Sequence, residues 1–354
     1  NDGGSFVDIG AGDVLPGVTH SATAWGDYDN DGDLDILLTG APGPDVSNPI
    51  AEIFENKGSD TFTKLSTAAL TGVFSSAVAW GDYDNDGDLD IFLSGYVNDS
   101  YITTSKIYQN LGGGSFEELT TANFFGVAKS SVAWGDYDND GDLDILLTGY
   151  DGAGVNVSKV YQNKNETGDG FDEVMTSMPV VKASSAVWGD YDNDGDLDIF
   201  LSGYGDFDIG DVTGIFENKG VSGFEELQEV EFTKVGDATA AWGDYDNDGD
   251  LDILYTGAKN LGQITKLYIN HSSLNNTVPA VPANLSATVD NTAKTVTFSW
   301  DVATDSQTPS AGLSYNLYIK SGTTYAQSPM AQETDGWRKL PALGNTMQNT
   351  SYTW

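Results

Sequence analysis

The sequence predicts an all-β chain: a β-propeller of four-stranded blades, with five motif-bearing repeats, followed by a C-terminal β-sandwich segment. Three observations carry this. A thirteen-residue string recurs five times at near-constant spacing, the segments between its copies alternate apolar and polar residues at period two, and no stretch has helical periodicity.

The string AWGDYDNDGDLDI surrounds Trp25, Trp80 and Trp134, recurs as VWGDYDNDGDLDI around Trp188 and returns as AWGDYDNDGDLDI around Trp242. The Trp-to-Trp steps are 55, 54, 54 and 54 residues, which requires one structural unit per repeat. Small and β-branched residues precede the string (Ser21 to Ala24, Ser75 to Ala79, Ser130 to Ala133) and predict a strand entering the acidic loop. An apolar run ending in Gly follows it, as in Ile36 to Gly40, Ile91 to Gly95 and Ile253 to Gly257. The third segment reads IFEN at Ile53, IYQN at Ile107, VYQN at Val160, IFEN at Ile215 and LYIN at Leu267. A short alternating stretch completes the unit: TFTKL from Thr61, SFEEL from Ser115, GFDEV from Gly170, GFEEL from Gly223. Four short strands in about 54 residues is the size of one propeller blade.

The fifth unit runs into NNTVPAVPANL where its fourth strand is due, while the chain begins with NDGGSFVDI, a good copy of that strand. Residues 4 to 9 could therefore pair into the last blade and close a five-bladed ring without a free sheet edge. A piece of a larger ring cut inside a repeat would read identically. The predicted domains are a propeller over 1–275, a linker over 276–284, and a domain over 285–354. The last segment alternates as strands with Trp300 and Tyr315 as core aromatics, and resembles a fibronectin type III-like sandwich. At about 75 residues from Pro279 it falls short of the ~100 such a sandwich needs, so it is expected to be truncated.

Composition narrows the function classes. Asp and Glu number 54 against 15 Lys and Arg, a net charge of −39, and Arg338 is the only arginine. Nucleic acids and anionic membranes are poor partners for such a chain. The 39% hydrophobic content, with 17 Tyr, 15 Phe and 8 Trp, is too rich in core-forming groups for a disordered acidic tail. Zero Cys excludes disulfides, thiolate zinc sites and a cysteine nucleophile, and His20 and His271 stand alone without metal-ligand spacing. No apolar run approaches the ~20 residues of a membrane span. The sequence starts at Asn1 with neither an initiator Met nor a signal-peptide pattern, as expected of a mature chain or a fragment.

Each copy of the string holds a loop D-Y-D-N-D-G-D-L-D. Its acids are Asp27, Asp29, Asp31, Asp33 and Asp35 in the first repeat; Asp82, Asp84, Asp86, Asp88 and Asp90 in the second; and Asp136, Asp138, Asp140, Asp142 and Asp144 in the third. The fourth has Asp190, Asp192, Asp194, Asp196 and Asp198, and the fifth Asp244, Asp246, Asp248, Asp250 and Asp252. Carboxylates at positions 1, 3 and 5 with Gly at 6 match the first half of an EF-hand loop, and an all-oxygen donor set at this density selects a hard cation, Ca²⁺ before Mg²⁺. The loop closes with Asp at position 9, so it is shorter than an EF-hand and is expected to bridge two strands. Positions 1, 3, 5 and 9 are the candidate side-chain ligands, while position 7 is expected to offer its backbone carbonyl. Asp, Asn and Gly are also ordinary turn formers. A plain turn, however, would not place five aspartates in nine residues five times, because without a counter-ion their repulsion opposes folding.

The recurrent Trp, beside small Ala and Gly, is read as packing between blades rather than as a sugar platform. The Tyr at loop position 2 (Tyr28, Tyr83, Tyr137, Tyr191, Tyr245) could be buried or exposed. The pattern DxDxDGxxD, preceded by a small-aromatic-Gly strand, resembles the FG-GAP (VCBS) repeat, the calcium-binding blade also found in the α-subunit propeller of integrins. The resemblance covers residues 1 to 275 and implies about five Ca²⁺, one per repeat; family members commonly have seven blades. Together with the fibronectin type III-like segment it is similar to large secreted surface proteins of bacteria of the Bacteroidetes type.

The function expected on these grounds is a secreted or cell-surface calcium-binding propeller acting as an adhesion or interaction module. The ion is structural, and the ligand is an extracellular protein or glycan. The propeller is expected to be monomeric within a longer chain. The alternative is a lectin or carbohydrate-targeting module. Enzymatic activity is not expected, because metal ligation accounts for the acids and no unique acidic pair breaks the repeat symmetry. The connections after the second strand diverge (Ala41 to Pro49, Tyr96 to Thr104, Tyr150 to Val157, Tyr204 to Val212), as a binding surface on a constant scaffold requires.

Overall fold

The computed structural model describes residues 8–43, 46–164, 170–246, 248–259, 262–271, 277, 279–290, 292, 295–321, 324–327 and 350–353. The chain forms two compact units, one of residues 1–80 and 88–128 and the other of 81–87 and 129–354.

The first unit contains two antiparallel sheets, each in sequence order: β1 (Thr19–Gly26), β2 (Asp35–Ala41), β3 (Ile50–Asn56) and β4 (Phe62–Lys64), then β5 (Phe74–Gly81), β6 (Asp90–Tyr96), β7 (Thr103–Asn110) and β8 (Phe116–Glu118). Trp25 pairs with Ile36 and Gly26 with Asp35, so the first acidic loop is the connection between neighbouring strands. The apolar second strand of each repeat is central in its sheet, and in the first four repeats it is packed on both faces, which explains its unbroken hydrophobic run; in the fifth, Leu254 of that strand is exposed. Leu37 faces the second sheet in a core with Ile53, Val73, Ile91 and Leu93, and Ile36 packs on the other side with Phe54 and Phe62.

The second unit repeats the plan. Its sheets are β9 (Ala128–Gly135), β10 (Asp144–Tyr150), β11 (Asn156–Asn163) and β12 (Phe171–Val174), then β13 (Lys182–Gly189), β14 (Asp198–Tyr204), β15 (Asp211–Asn218) and β16 (Phe224–Glu226). The fifth repeat has β17 (Gly236–Gly243), β18 (Asp252–Lys259) and β19 (Gly262–Tyr268), three strands among the described residues. The fourth strand expected from residues 4 to 9 falls mostly outside the described residues, and residues 8 and 9 are not in a strand. Beyond Pro279, β20 (Ser286–Asp290) and β21 (Thr295–Ser299) form a sheet with β24 (Ser351–Thr353), while β22 (Ile319–Ser321) pairs with β23 (Thr324–Gln327). Here Ala303, Leu313 and Tyr315 are buried against Trp300.

The repeated Trp has a specific partner. A Cβ added to Gly26 would lie 2.6 Å from the Trp80 ring, and the same holds at 2.7 Å for Gly81 on Trp134 and Gly135 on Trp188, and at 2.6 Å for Gly189 on Trp242. The W-G dipeptide is therefore two halves of one contact, the Gly of one repeat receiving the indole of the next. Tyr28 stacks on Trp80 and Tyr137 on Trp188, so the loop tyrosines Tyr28, Tyr83 and Tyr137 are buried. The packing expectation meets one exception: Trp25, with no preceding repeat against it in its unit, is 60% exposed. In the second unit Gly243 has no atom within 4 Å, and Tyr245 is correspondingly exposed.

The first strands carry a feature that hydrophobic patterning does not display. The residue five before each Trp (His20, Ser75, Lys129, Ala183, Asp237) has φ between 44° and 50°, and the pairing register shifts there in β1, β13 and β17. In those three strands it is a β-bulge, which re-aims the strand before the loop. His20 is a bulge residue on the surface.

Candidate metal centre

The acidic loop is held open by its own carboxylates. Position 1 accepts two backbone N–H groups, those of positions 5 and 6: Asp27 from Asp31 and Gly32 at 3.0 Å, Asp136 from Asp140 and Gly141 at 3.0 Å, with Asp82, Asp190 and Asp244 equivalent. The turn needs Asn at position 4 in the left-handed region (φ 57° at Asn30, 60° at Asn193) and Gly at position 6 (φ 94° at Gly32, 95° at Gly195), where a β-carbon would be strained. Position 9 sits at the start of the second strand and ties loop to sheet. Asp144 accepts from Tyr137 N at 3.0 Å and Asn163 N at 2.8 Å, Asp198 from Tyr191 N and Asn218 N, and Asp252 from Tyr245 N and Asn270 N. In the first unit Asp35 accepts from Tyr28 N and Asn56 N, and Asp90 from Asn110 N.

These anchors bring carboxylates together. Asp27, Asp29 and Asp35 have oxygens within 4.8 Å of one another, as do Asp136, Asp138 and Asp144. In the other loops the group is positions 1, 3 and 5: Asp82, Asp84 and Asp86; Asp190, Asp192 and Asp194; Asp244, Asp246 and Asp248. Position 7 belongs to none of these groups. Its carboxylate accepts instead from the position-4 Asn one repeat earlier: Asn30 to Asp88 at 2.8 Å, Asn85 to Asp142 at 2.7 Å, Asn139 to Asp196 at 2.9 Å, and Asn193 to Asp250 at 2.7 Å. Asp33 of the first loop donates its N–H to Asp31.

Burial, reinforced by neighbouring aspartates, raises these carboxyls against the opposing pull of the backbone N–H groups. Asp27 and Asp190 rise to about 6, Asp35, Asp82 and Asp136 to about 7, Asp198 to about 8 and Asp144 to about 9. A fold that converges carboxylates until they resist ionisation is relieved by one divalent cation. The donors are all oxygen, so the residues fit a hard ion such as Ca²⁺. It would be held by the carboxylate groups just named, and when bound it supplies neutralising charge.

Two asparagines per repeat escape a carboxylate-centred reading. One is position 4, which links successive loops. The other ends the third strand, or in the fifth repeat follows it by two residues: Asn110 donates to Tyr28 O at 2.8 Å, Asn163 to Tyr83 O at 2.7 Å, Asn218 to Tyr137 O at 2.8 Å, and Asn270 to Tyr191 O. Both recur at fixed spacing, which is the signal that marks them.

A family model for the FG-GAP-like repeat matches residues 43–93, 96–147, 136–201 and 190–255. Cartilage acidic protein 1 of Xenopus tropicalis is 27% identical over 179 residues, which is 48% of this chain and 26% of that protein, so the match spans about a quarter of the relative. Two Bacteroides thetaiotaomicron structures are similar: an endo-1,4-beta-xylanase (TM-score 0.36, 10% identity, 83% of this chain and 96% of that one) and an endo-arabinase (TM-score 0.37, 14% identity, 68% and 91%). With the repeat model matching more than half its length, and the matched stretch folding as antiparallel sheets with an acidic loop between the first and second strands of each repeat, the chain belongs to the FG-GAP-like repeat family.

Proposed function

We propose that this chain is a calcium-binding interaction module that works outside the cell, with one structural Ca²⁺ in the acidic loop of each repeat. The observation that carries the reading is the convergence of three carboxylates, five times over, in loops whose backbone is already organised around them. Each ion cross-links a β-hairpin and removes the repulsion that burial imposes. Outside the cell calcium is abundant enough to fill such sites, and a relative named for cartilage supports that location.

The binding role rests on the divergent connections. Tyr101 and Ile102 lie in the β6–β7 connection, Val155 in that between β10 and β11, and Phe207 and Ile209 in that between β14 and β15, all exposed. Large apolar side chains at the tips of otherwise polar loops favour a partner over solvent. A protein ligand is the primary reading. A glycan ligand is the second, supported by the exposed aromatic rings of Tyr101 and Phe207. The buried loop tyrosines do not serve it. Catalysis forms no part of the proposal. Calorimetric titration with Ca²⁺, followed by a screen of surface proteins and a glycan array with and without chelator, tests it. No calcium uptake would refute the metal reading, and no calcium-dependent partner of either class would refute the binding role.

A further inference from the structure

The segment after β21 crosses two of the acidic loops. Gly195, position 6 of the fourth loop, is so close to the backbone of Gln307 that an added Cβ would lie 2.1 Å from its carbonyl oxygen and 2.6 Å from its carbonyl carbon. A Cβ on Gly312 would lie 2.1 Å from Oδ1 of Asn139, position 4 of the third loop, and Gly141 approaches Ala311 at 3.7 Å. The corresponding glycines of the second and fifth loops, Gly87 and Gly249, have nothing within 4 Å.

The crossing point is a joint. Asn139 donates through Nδ2 both to Asp196 Oδ1 at 2.9 Å and to Gly195 O at 3.2 Å, tying the third loop to the fourth. The crossing segment meets this amide at Gly312 and the Gly195 backbone at Gln307. It is itself ordered. Asp305 caps the N–H groups of Gln307 and Thr308 at 2.9 Å, Ser310–Gly312 form a 3-10 turn, and Leu313 and Tyr315 anchor the far end, the Tyr315 hydroxyl accepting from Ala303 N at 3.0 Å.

We infer that Ser306–Gly312 is a clip on the third and fourth acidic loops, and that its docking and metal binding at those two loops are coupled, which sets them apart from the other three. The inference rests on the calcium reading above. The clip approaches the Gly195 backbone and the Asn139 amide, so it recognises loop conformation: the left-handed Gly195 and the bridging Asn139. A cation that locks the carboxylates of the loop locks that conformation, and docking must strengthen cation binding by the same factor. A coupling of ordinary size makes the two clipped sites about 5- to 150-fold tighter than the rest.

Two measurements on the whole chain test this. In calorimetric Ca²⁺ titration the wild type is expected to resolve two tight sites from three weaker ones, and Gly312→Val, which drives a side chain into Asn139, is expected to merge them into one class. In the wild type, amide hydrogen exchange over 305–313 is expected to accelerate at least fivefold on chelation, and this arm requires no variant. Five equivalent sites, or clip exchange indifferent to chelation, would overturn the coupling and leave calcium binding intact. No Ca²⁺ uptake at any loop would overturn the calcium reading and the clip inference with it.

Discussion

Replacing Gly189 by Ala tests whether the W-G pair is the packing unit of the repeat. The new Cβ would stand 2.6 Å from Trp242 Nε1, 2.7 Å from Cδ1 and 2.8 Å from Cε2, where ordinary contact begins near 3.4 Å. The indole must retreat by roughly 1 Å, and it is itself packed edge-on against Phe200 at 6.0 Å between ring centres. Inserting a methyl group into a packed contact of this kind costs about 1–3 kcal/mol, against which the lost freedom of glycine in the unfolded chain returns about 0.4–1 kcal/mol. The expected net loss is about 1–2 kcal/mol. Gly243→Ala supplies the control, because the same position one repeat later has nothing within 4 Å and only the gain of about 0.4–1 kcal/mol applies. The two variants should thus move in opposite directions, a spread of about 2 kcal/mol or several degrees in Tm. Urea and thermal melts at saturating calcium measure it. Equal shifts, or a Gly189→Ala variant as stable as Gly243→Ala, would refute the stacking account.

Further outcomes are expected. Chelation should lower Tm steeply: with each site tenfold tighter than ambient calcium, mass action contributes about 1.4 kcal/mol per loop and about 7 kcal/mol for five, so a melt unmoved by EDTA contradicts a structural ion. The chelated protein should melt higher at pH 5.5 than at pH 8. Asp198 and Asp144 are raised from 3.8 to about 8 and 9 when folded, so the folded state retains protons the unfolded state has lost and stability falls as pH rises through that window. At the third loop calcium must displace the Asp144 proton, so affinity there should rise over the same range; a pH-independent chelated Tm would contradict the raised carboxyls. Asn218→Ala removes the donor to Tyr137 O and Leu197 O and the acceptor of Gly220 N, at an expected cost of about 2–3 kcal/mol in urea melts. Phe207→Ser, on an exposed loop tip, should change stability by less than about 0.5 kcal/mol while weakening partner capture in a pull-down; undiminished capture would remove that loop from the binding surface.

Much of the charge follows from the loops. Twenty-five of the 54 acidic residues stand in them, and five Ca²⁺ would cancel ten of the negative charges. The remaining excess favours solubility over association.

Periodicity by itself determined the four-strand repeat, the place of the acidic loop between the first and second strands, and the carboxylates that could meet a cation, because strand alternation and loop chemistry are local properties written in consecutive residues. Tertiary structure decided what each of those residues touches. Asp33 and Asp88 occupy the same motif position, yet Asp88 accepts from Asn30 of the loop before it, a contact 58 residues apart in sequence. Trp25 and Trp80 are likewise identical in the motif, and one is exposed while the other lies on Gly26, since burial depends on which repeat stands beside it. The positive-φ residues His20, Ser75, Lys129, Ala183 and Asp237 have no shared side-chain type, because the strand's path rather than its chemistry demands the conformation. The crossing of Gln307 and Gly312 over the third and fourth loops joins residues more than a hundred apart, which no repeat period encodes.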